Sequence, residues 1–238
     1  MRASVGVRLR GTVRDVGTLL RPSSRRRLSA LGALILASGF GVALVAFRLA
    51  WTGELRYANL VWNLVLAWVP FVLALLVYDR ARRGLRGVGL LLLAGAWLAF
   101  LPNAPYLVTD IGLLRDVHGM PLWFDVALLT TFAWTGLLLG FVSVYLVQRA
   151  VQRLYGVAAG WLAAVGALGL SGLGIYLGRE LRWNSWDILV QPGGVLGDVA
   201  EQLTTARLVG MSLLMAAFLT VAYTMLYTVL AAALDERD

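Results

Sequence analysis

Two short stretches of this sequence, LPNAPYLVTD and RELRWNSWD, hold the polar residues best suited to bind a ligand or catalyse a reaction. The first contributes Asn103, Tyr106 and Asp110, and the second contributes Arg179, Glu180, Arg182, Asn184 and Asp187. Guanidinium groups hold phosphate or carboxylate through paired hydrogen bonds. A buried carboxylate such as Asp110 or Asp187 could serve as a general base. These residue types predict a site for an anionic ligand.

A third stretch adds one more carboxylate to the predicted site. Asp125 follows Pro121 and Trp123 at the start of a long apolar run. In the first turn of a helix, the helix dipole favours a carboxylate. Asn59 and Asn63 are spaced one helical turn apart and can reach the same region. We therefore expect Asp125 to belong to the same polar group. The alternative is that all these charges pair only with each other and lock the helices together.

Other kinds of site are excluded or lack a pattern. The chain has no cysteine, so disulfides, thiol nucleophiles and cysteine-bound metals are excluded. Its one histidine, His118, cannot form a two-histidine metal motif. Mg²⁺ or Ca²⁺ could bind carboxylates, but the acidic residues here follow no ligand spacing. We predict no metal and no cofactor.

The composition places these stretches in a membrane protein. Hydrophobic residues make up 60% of the chain and charged residues 14%, whereas about a quarter of a soluble domain is charged. A net charge of +8 would suggest nucleic acid as a partner in a soluble protein. The arginines instead cluster in the connections between apolar runs, so we predict the lipid bilayer as the partner and no nucleic acid.

A window of about twenty residues predicts an all-α bundle of six membrane-spanning helices. The predicted spans cover residues 28–50, 59–78, 88–101, 122–146, 157–178 and 207–230. Residues 1–27 form a basic leader and residues 28–234 form one transmembrane domain. Arginines dominate the leader and the second and fourth connections, so the positive-inside rule predicts that both termini are cytoplasmic. Both polar stretches then lie on the outer side.

The leader allows two interpretations. Leu9, Val13, Val16 and Leu20 recur at helical spacing, so residues 6–20 could lie on anionic lipid as a basic amphipathic helix. A disordered positive flank fits the residues equally well. The apolar run that follows is too long for a signal-peptide core, so we interpret the first span as an uncleaved anchor.

The third span is expected to break at its outer end. Its 14 apolar residues, 88–101, rise about 21 Å as a helix, whereas the hydrocarbon core is about 30 Å thick. Pro102 and Pro105 each remove a backbone donor and clash with the preceding turn. We expect Asn103 to cap a new helix with Pro105 in its first turn. Irregular backbone at membrane depth indicates a site, although an interfacial turn would give the same pattern.

The fifth span carries RELRWNSWD out of the middle of the bundle. Its glycines should allow close helix packing, and they are Gly166, Gly169, Gly172, Gly174 and Gly178. We expect the helix to continue to about Trp183 and Asn184 to cap a short second helix, with Asp187 at its third position. Trp183 and Trp186 also suit an interfacial aromatic belt.

The same span contains GLSG, the pattern around the nucleophile of rhomboid proteases. A serine nucleophile needs a histidine base on a facing span. His118 lies in a loop, and the sixth span offers only Tyr223, Thr224 and Tyr227. We therefore attribute the glycines around Ser171 to helix packing.

Several of these stretches resemble the signature blocks of an uncharacterised bacterial family of integral membrane proteins, domain of unknown function 1361. The blocks are LPNAPYLVTD, PLWFD, FAWTGLLLGFVSV and SGLGIYLGRELRWNSWD, and the resemblance covers roughly residues 55–230. It implies a multi-pass protein of the bacterial inner membrane in which these blocks form a common site. The positions that carry the pattern are Asn103, Pro105, Tyr106, Asp110, Asp125, Arg179, Arg182, Asn184 and Asp187.

Three classes of function remain open. An outward-facing site could bind or process an anionic or lipid-linked ligand. The broken third span could bind a solute in a small transporter, although the sequence has no evident inverted repeat. A tryptophan-rich outer surface could dock a protein partner in an assembly subunit.

Overall fold

The computed structural model of the protein describes residues 24–116, 119–202 and 205–235. In chain order its helices are α1 (Ser24–Thr52), α2 (Ala58–Arg82), α3 (Val88–Phe100), α4 (Asn103–Tyr106), a 3-10 helix (Thr109–Asp116), α5 (Leu122–Tyr155), α6 (Val157–Glu180), α7 (Asp187–Val190), α8 (Pro192–Gln202) and α9 (Ala206–Asp235). Residues 6–20, for which the sequence allows a surface helix or a disordered flank, lie outside the described residues, as does His118.

Six of these segments are long and apolar enough to cross a membrane. They are α1, α2, α5, α6, α9 and the segment Val88–Leu114, which joins α3 to the short helices after it. This confirms the predicted all-α fold with six spans. The side of the membrane on which each terminus lies stays a prediction.

Helix α5 is the centre of the bundle. Over its most apolar stretch 61% of the residues are buried, compared with 39% at most in the other spans. It contacts α1, α2, α4, the 3-10 helix and α6, while α9 packs against α6. Because α5 touches so many other elements, its side chains determine where the shorter segments lie.

The segment between α6 and α9 contains a helix that the sequence pattern does not predict. Helix α8 starts with Pro192, a residue well suited to a first helical turn. Its buried Val195 packs with Tyr176 and Leu177 of α6. Two side-chain hydrogen bonds add to this packing, from Trp183 Nε1 to Asp198 at 2.8 Å and from the Tyr176 hydroxyl to Gln202 at 2.6 Å. Helix α8 therefore covers the end of α6.

Candidate functional site

The predicted break in the third span is present. Helix α3 ends at Phe100, and α4 begins at Asn103 after a two-residue turn. Asn103 is the first helical residue rather than the cap, which is Pro102, so the predicted capping role was wrong. Its side chain instead donates back to the Phe100 carbonyl oxygen at 2.9 Å. That bond satisfies a carbonyl group that the proline break leaves without a helical donor.

Helix α4 lies inside the bundle, where it contacts α2, α5 and α6. Ala104 is fully buried. A Cβ atom on Gly136 of α5 would overlap the Ala104 carbonyl oxygen and lie 2.8 Å from Leu107 Cδ1. The short helix can occupy this position only because residue 136 has no side chain.

The glycines of α6 face different neighbours. Cβ atoms on Gly174 and Gly178 would meet Pro102 and the Tyr106 ring, and one on Gly172 would meet the backbone of α9. The prediction of close approach is confirmed at these three positions. A Cβ atom on Gly166 or Gly169 would meet no neighbouring atom of the described residues within 4 Å, so the prediction was wrong for these two.

Helix α6 ends earlier than predicted. It stops at Glu180 rather than near Trp183, because Arg182 adopts a left-handed conformation with φ of 59°. This conformation is uncommon for a residue with a side chain. It reverses the chain, and the Trp183 N–H donates to the Leu177 carbonyl oxygen at 3.1 Å. The reversal brings residues 182–185 back over the end of α6.

The two polar stretches are in direct contact. Asn103 Nδ2 donates to Ser185 Oγ at 2.7 Å. Arg179 Nη1 lies 3.2 Å from Asp110 Oδ1, and Asn63 Nδ2 donates to Asp110 Oδ2 at 3.1 Å. Asp110 is only 4% exposed. A buried carboxylate is costly unless it is paired, and both of its oxygens have a partner here.

A cavity of about 290 Å³ lies between these stretches. Its walls come from α2, from the break between α3 and α4, from α6, and from the segment that follows α6. The lining residues are Trp62, Asn63, Leu66, Ala99, Pro102, Asn103, Tyr106, Gly174, Leu177, Gly178, Arg182, Trp183, Asn184, Ser185, Ile188 and Val195.

Four of the nine predicted site residues line this cavity, and they are Asn103, Tyr106, Arg182 and Asn184. The Asp110–Arg179 pair connects to it through Asn63. The Asp187 carboxylate accepts from the Asn184 N–H at 2.7 Å. The short helix α7 begins at Asp187 and has Trp186 as its N-cap, so the prediction that Asn184 caps it with Asp187 at the third position was wrong. The bond from Asn184 to Asp187 instead fixes Asn184, which lines the cavity. Glu180 pairs with Arg207 at 2.8 Å.

Asp125 belongs to a different buried group. It is fully buried and does not line the cavity. Arg48 of α1, which is 1% exposed, donates from Nε to Asp125 Oδ1 at 2.8 Å. The Arg48 guanidinium also lies 4.4 Å from the centre of the Tyr57 ring. Burial, together with the charge of Asp125, raises the pKa of the Tyr57 hydroxyl.

The role of Arg48 is missing from the sequence-based prediction. The available signal was an arginine within the otherwise apolar first span, together with a carboxylate in the first turn of another span. A charged residue inside a span requires a partner of opposite charge. The structure pairs these two residues.

Arg182 differs from three other arginines near this end of the bundle. Arg48, Arg179 and Arg207 each pair with a carboxylate. Arg182 is exposed and lines the cavity. It forms no ion pair with any described residue. The wall of the cavity therefore carries a positive charge that no neighbouring described side chain offsets.

Two other chemistries find no support in the described part of the chain. No three acidic or histidine side chains lie close enough there to hold a metal ion. Ser171 of the GLSG motif is 1% exposed and donates to the Ala167 carbonyl oxygen at 2.8 Å. This hydroxyl is part of the helix packing.

Comparison with known proteins identifies a family. No curated protein and no solved structure matches the chain. The model of a family described as a protein of unknown function (DUF1361) matches residues 62–222, a range that contains every residue lining the cavity. The match covers more than half of the 238 residues and confirms the resemblance seen in the motifs. The chain is therefore a polytopic membrane protein that belongs to the DUF1361 family.

Proposed function

We propose that this protein binds an anionic ligand, through a phosphate or carboxylate group, in the cavity between α2, α4 and α6. The observation that carries the proposal is that Arg182 lines the cavity and forms no ion pair with a carboxylate among the described residues. An arginine that faces a site in this way is suited to an anion from outside the chain. The neighbouring carboxylate, Asp110, is already offset by Arg179.

Hydroxyl groups on the cavity wall complement this charge. Ser185 Oγ accepts a hydrogen bond from Asn103, so the Ser185 hydroxyl hydrogen remains available to donate to a ligand. Tyr106 lines the same cavity and carries a second hydroxyl. A guanidinium and two hydroxyls provide several donors for the oxygens of one phosphate or carboxylate group.

The proposal concerns binding rather than a reaction. Asp110 and Asp187, the two candidate general bases, both accept hydrogen bonds from their neighbours. Such bonds occupy the carboxylate oxygens and hold each side chain in place. Both carboxylates therefore fit a structural role beside the cavity better than proton transfer.

Calorimetric titration of the purified full chain in a neutral detergent tests the proposal. The probes are glycerol 3-phosphate and dihexanoyl phosphatidic acid, a short-chain lipid with a phosphate headgroup. A charge-assisted hydrogen bond contributes about 1.5–3 kcal/mol. We therefore expect Arg182→Gln to weaken binding of the probes by about tenfold or more.

A control variant and a second substitution of Arg182 separate the loss of this charge from a general change in net charge and from backbone strain. Arg83→Gln removes an exposed arginine from the connection after α2 and should leave binding unchanged. Arg182→Gly keeps the left-handed backbone at no steric cost and should lose binding as Arg182→Gln does. The proposal is overturned if neither probe binds the wild-type protein, or if Arg182→Gln binds both as tightly as the wild type does.

A further inference from the structure

The mouth of the cavity lies on a membrane-spanning helix. Trp62 of α2 lines the cavity and is 56% exposed. Ile188 of α7, which also lines the cavity, is 41% exposed. A lining residue that is also exposed marks a place where the cavity opens to the surroundings. Here the exposed lining residues are two large apolar side chains, Trp62 and Ile188, and two polar ones, Arg182 and Asn184.

The depth of this opening matches the headgroup region of a bilayer. Trp62 lies four residues after the start of α2 at Ala58, a rise of about 6 Å. The interfacial layer on each side of the hydrocarbon core is about 5–7 Å thick. Tryptophan is favoured in that layer. The opening therefore faces the boundary between headgroups and acyl chains.

The lining also changes in polarity with depth. Arg182, Asn184 and Ser185 follow the end of α6 and form the outer part of the wall. Leu66 lies one helical turn further from the start of α2 than Trp62 does and belongs to the inner part. A polar outer wall beside an apolar opening is complementary to an amphiphile.

From these observations we infer that the anionic ligand is a membrane lipid. Its headgroup lies against Arg182, and its acyl chains leave the cavity past Trp62 into the bilayer. A volume of about 290 Å³ is near the lower limit for small-molecule pockets, so it suits a headgroup rather than a whole lipid. This inference rests on the proposed function and specifies its ligand.

Comparison of the two probes in the wild-type protein gives the first test. Glycerol 3-phosphate and dihexanoyl phosphatidic acid share the phosphate and differ in their acyl chains. Burial of one CH₂ tightens binding by about fourfold, so contact of a few methylenes with Trp62 should tighten binding by tenfold or more. Dihexanoyl phosphatidylcholine, which has the same chains and no net charge, should bind at least tenfold more weakly than the phosphatidic acid.

A matched pair of tryptophan variants gives the second test. Trp62→Ala should weaken binding of the phosphatidic acid about threefold or more and leave glycerol 3-phosphate unchanged. Trp134 of α5 is 62% exposed and does not line the cavity, so Trp134→Ala should change neither affinity.

The outcomes distinguish the two proposals. Equal affinities of the wild-type protein for the two phosphates would overturn the lipid as ligand. Equal affinities for the phosphatidic acid and the phosphatidylcholine would overturn the selection of an anionic headgroup. In the first case anion binding at Arg182 would still stand. Absence of binding by every probe would overturn the proposed function itself.

Discussion

At the scale of single residues, Arg48 and Asp125 form the most deeply buried ion pair described in this protein, with 1% and 0% of their side chains exposed. The desolvation of two such charges is offset only while each has the other as a partner. Glu54 lies 3.6 Å from the same guanidinium but is 49% exposed. The charge of Arg48 is therefore offset mainly by Asp125. This ion pair joins α1 to α5.

We expect Asp125→Ala to destabilise the protein by about 3–5 kcal/mol, because it leaves the Arg48 guanidinium buried without its main carboxylate. The double variant Arg48→Met/Asp125→Leu replaces both charges with apolar groups of similar volume and should recover most of that loss. Thermal unfolding of the purified variants in detergent measures the difference. If the double variant is as unstable as the single one, the cost does not come from an unpaired charge.

The same pair illustrates what residue types alone can predict. The residue types in RELRWNSWD and LPNAPYLVTD indicate a common polar group, and Asp110 with Arg179 does connect them. The prediction placed Asp125 in that group because it lies at the same end of its helix. Its partner, Arg48, is 77 residues away in sequence. Which of several carboxylates pairs with which arginine is decided by helix rotation, and residue type does not specify it.

At the scale of elements, the position of α4 depends on the surface of α5. The sequence predicts that the third span breaks at Pro102 and Pro105, since proline cannot continue a helix without losing a hydrogen bond. It does not predict where the chain goes after the break. The path is set by Gly136, which leaves room for Ala104, and by Gly174 and Gly178, which leave room for Pro102 and Tyr106.

Two glycine substitutions test whether α4 depends on this close approach, one at a glycine that contacts α4 and one at a glycine that faces open space. Gly136→Ala places a methyl group against the Ala104 carbonyl oxygen, a backbone atom that cannot move aside, and should cost about 1–3 kcal/mol. It should also weaken anion binding, because α4 carries Asn103 and Tyr106. Gly169→Ala enters open space, and alanine is the better helix former by about 1 kcal/mol.

Melting temperatures and probe affinities of the two variants provide the measurement. We expect Gly136→Ala to melt at a lower temperature than the wild type, and Gly169→Ala to melt at the same or a higher temperature. Equal stability and equal anion affinity of the two variants would show that α4 does not depend on this close approach.

Element boundaries differ in how well local sequence determines them. The end of α3 is fixed by prolines and is predictable from them. The end of α6 at Glu180 depends on the left-handed Arg182, and arginine has no preference for that conformation. Helix α8 is not predicted from the sequence. Pro192 is its one strong signal for a helix start, and it is followed by Gly193 and Gly194, which are poor helix formers. Its contacts with α6 stabilise it where local propensity does not.

At the scale of the whole molecule, charge divides between the two ends of the bundle. One end, where α2 connects to α3 and α5 to α6, carries Arg80, Arg82, Arg83, Arg86, Arg149 and Arg153. The cavity lies at the other end, where the acidic residues outnumber the arginines. The acidic residues there are Glu54, Asp110, Asp116, Asp125, Glu180, Asp187, Asp198 and Glu201, and the arginines are Arg48, Arg56, Arg115, Arg179, Arg182 and Arg207. The positive-inside rule therefore predicts that the arginine-rich end is cytoplasmic and that the cavity opens on the outer side.

Because the chain contains no cysteine, a single introduced thiol reports which side of the membrane a position occupies. Leu85, between α2 and α3, is 51% exposed, and Glu201 of α8 is exposed at the cavity end. In right-side-out spheroplasts of a bacterial host, a membrane-impermeant maleimide should label Glu201→Cys and should not label Leu85→Cys until detergent is added. The reverse pattern would place the cavity on the cytoplasmic side, where a lipid ligand would come from the inner leaflet. Labelling of both thiols before detergent would mean that the reagent had crossed the membrane, so an impermeability control on a cytoplasmic marker protein accompanies the assay.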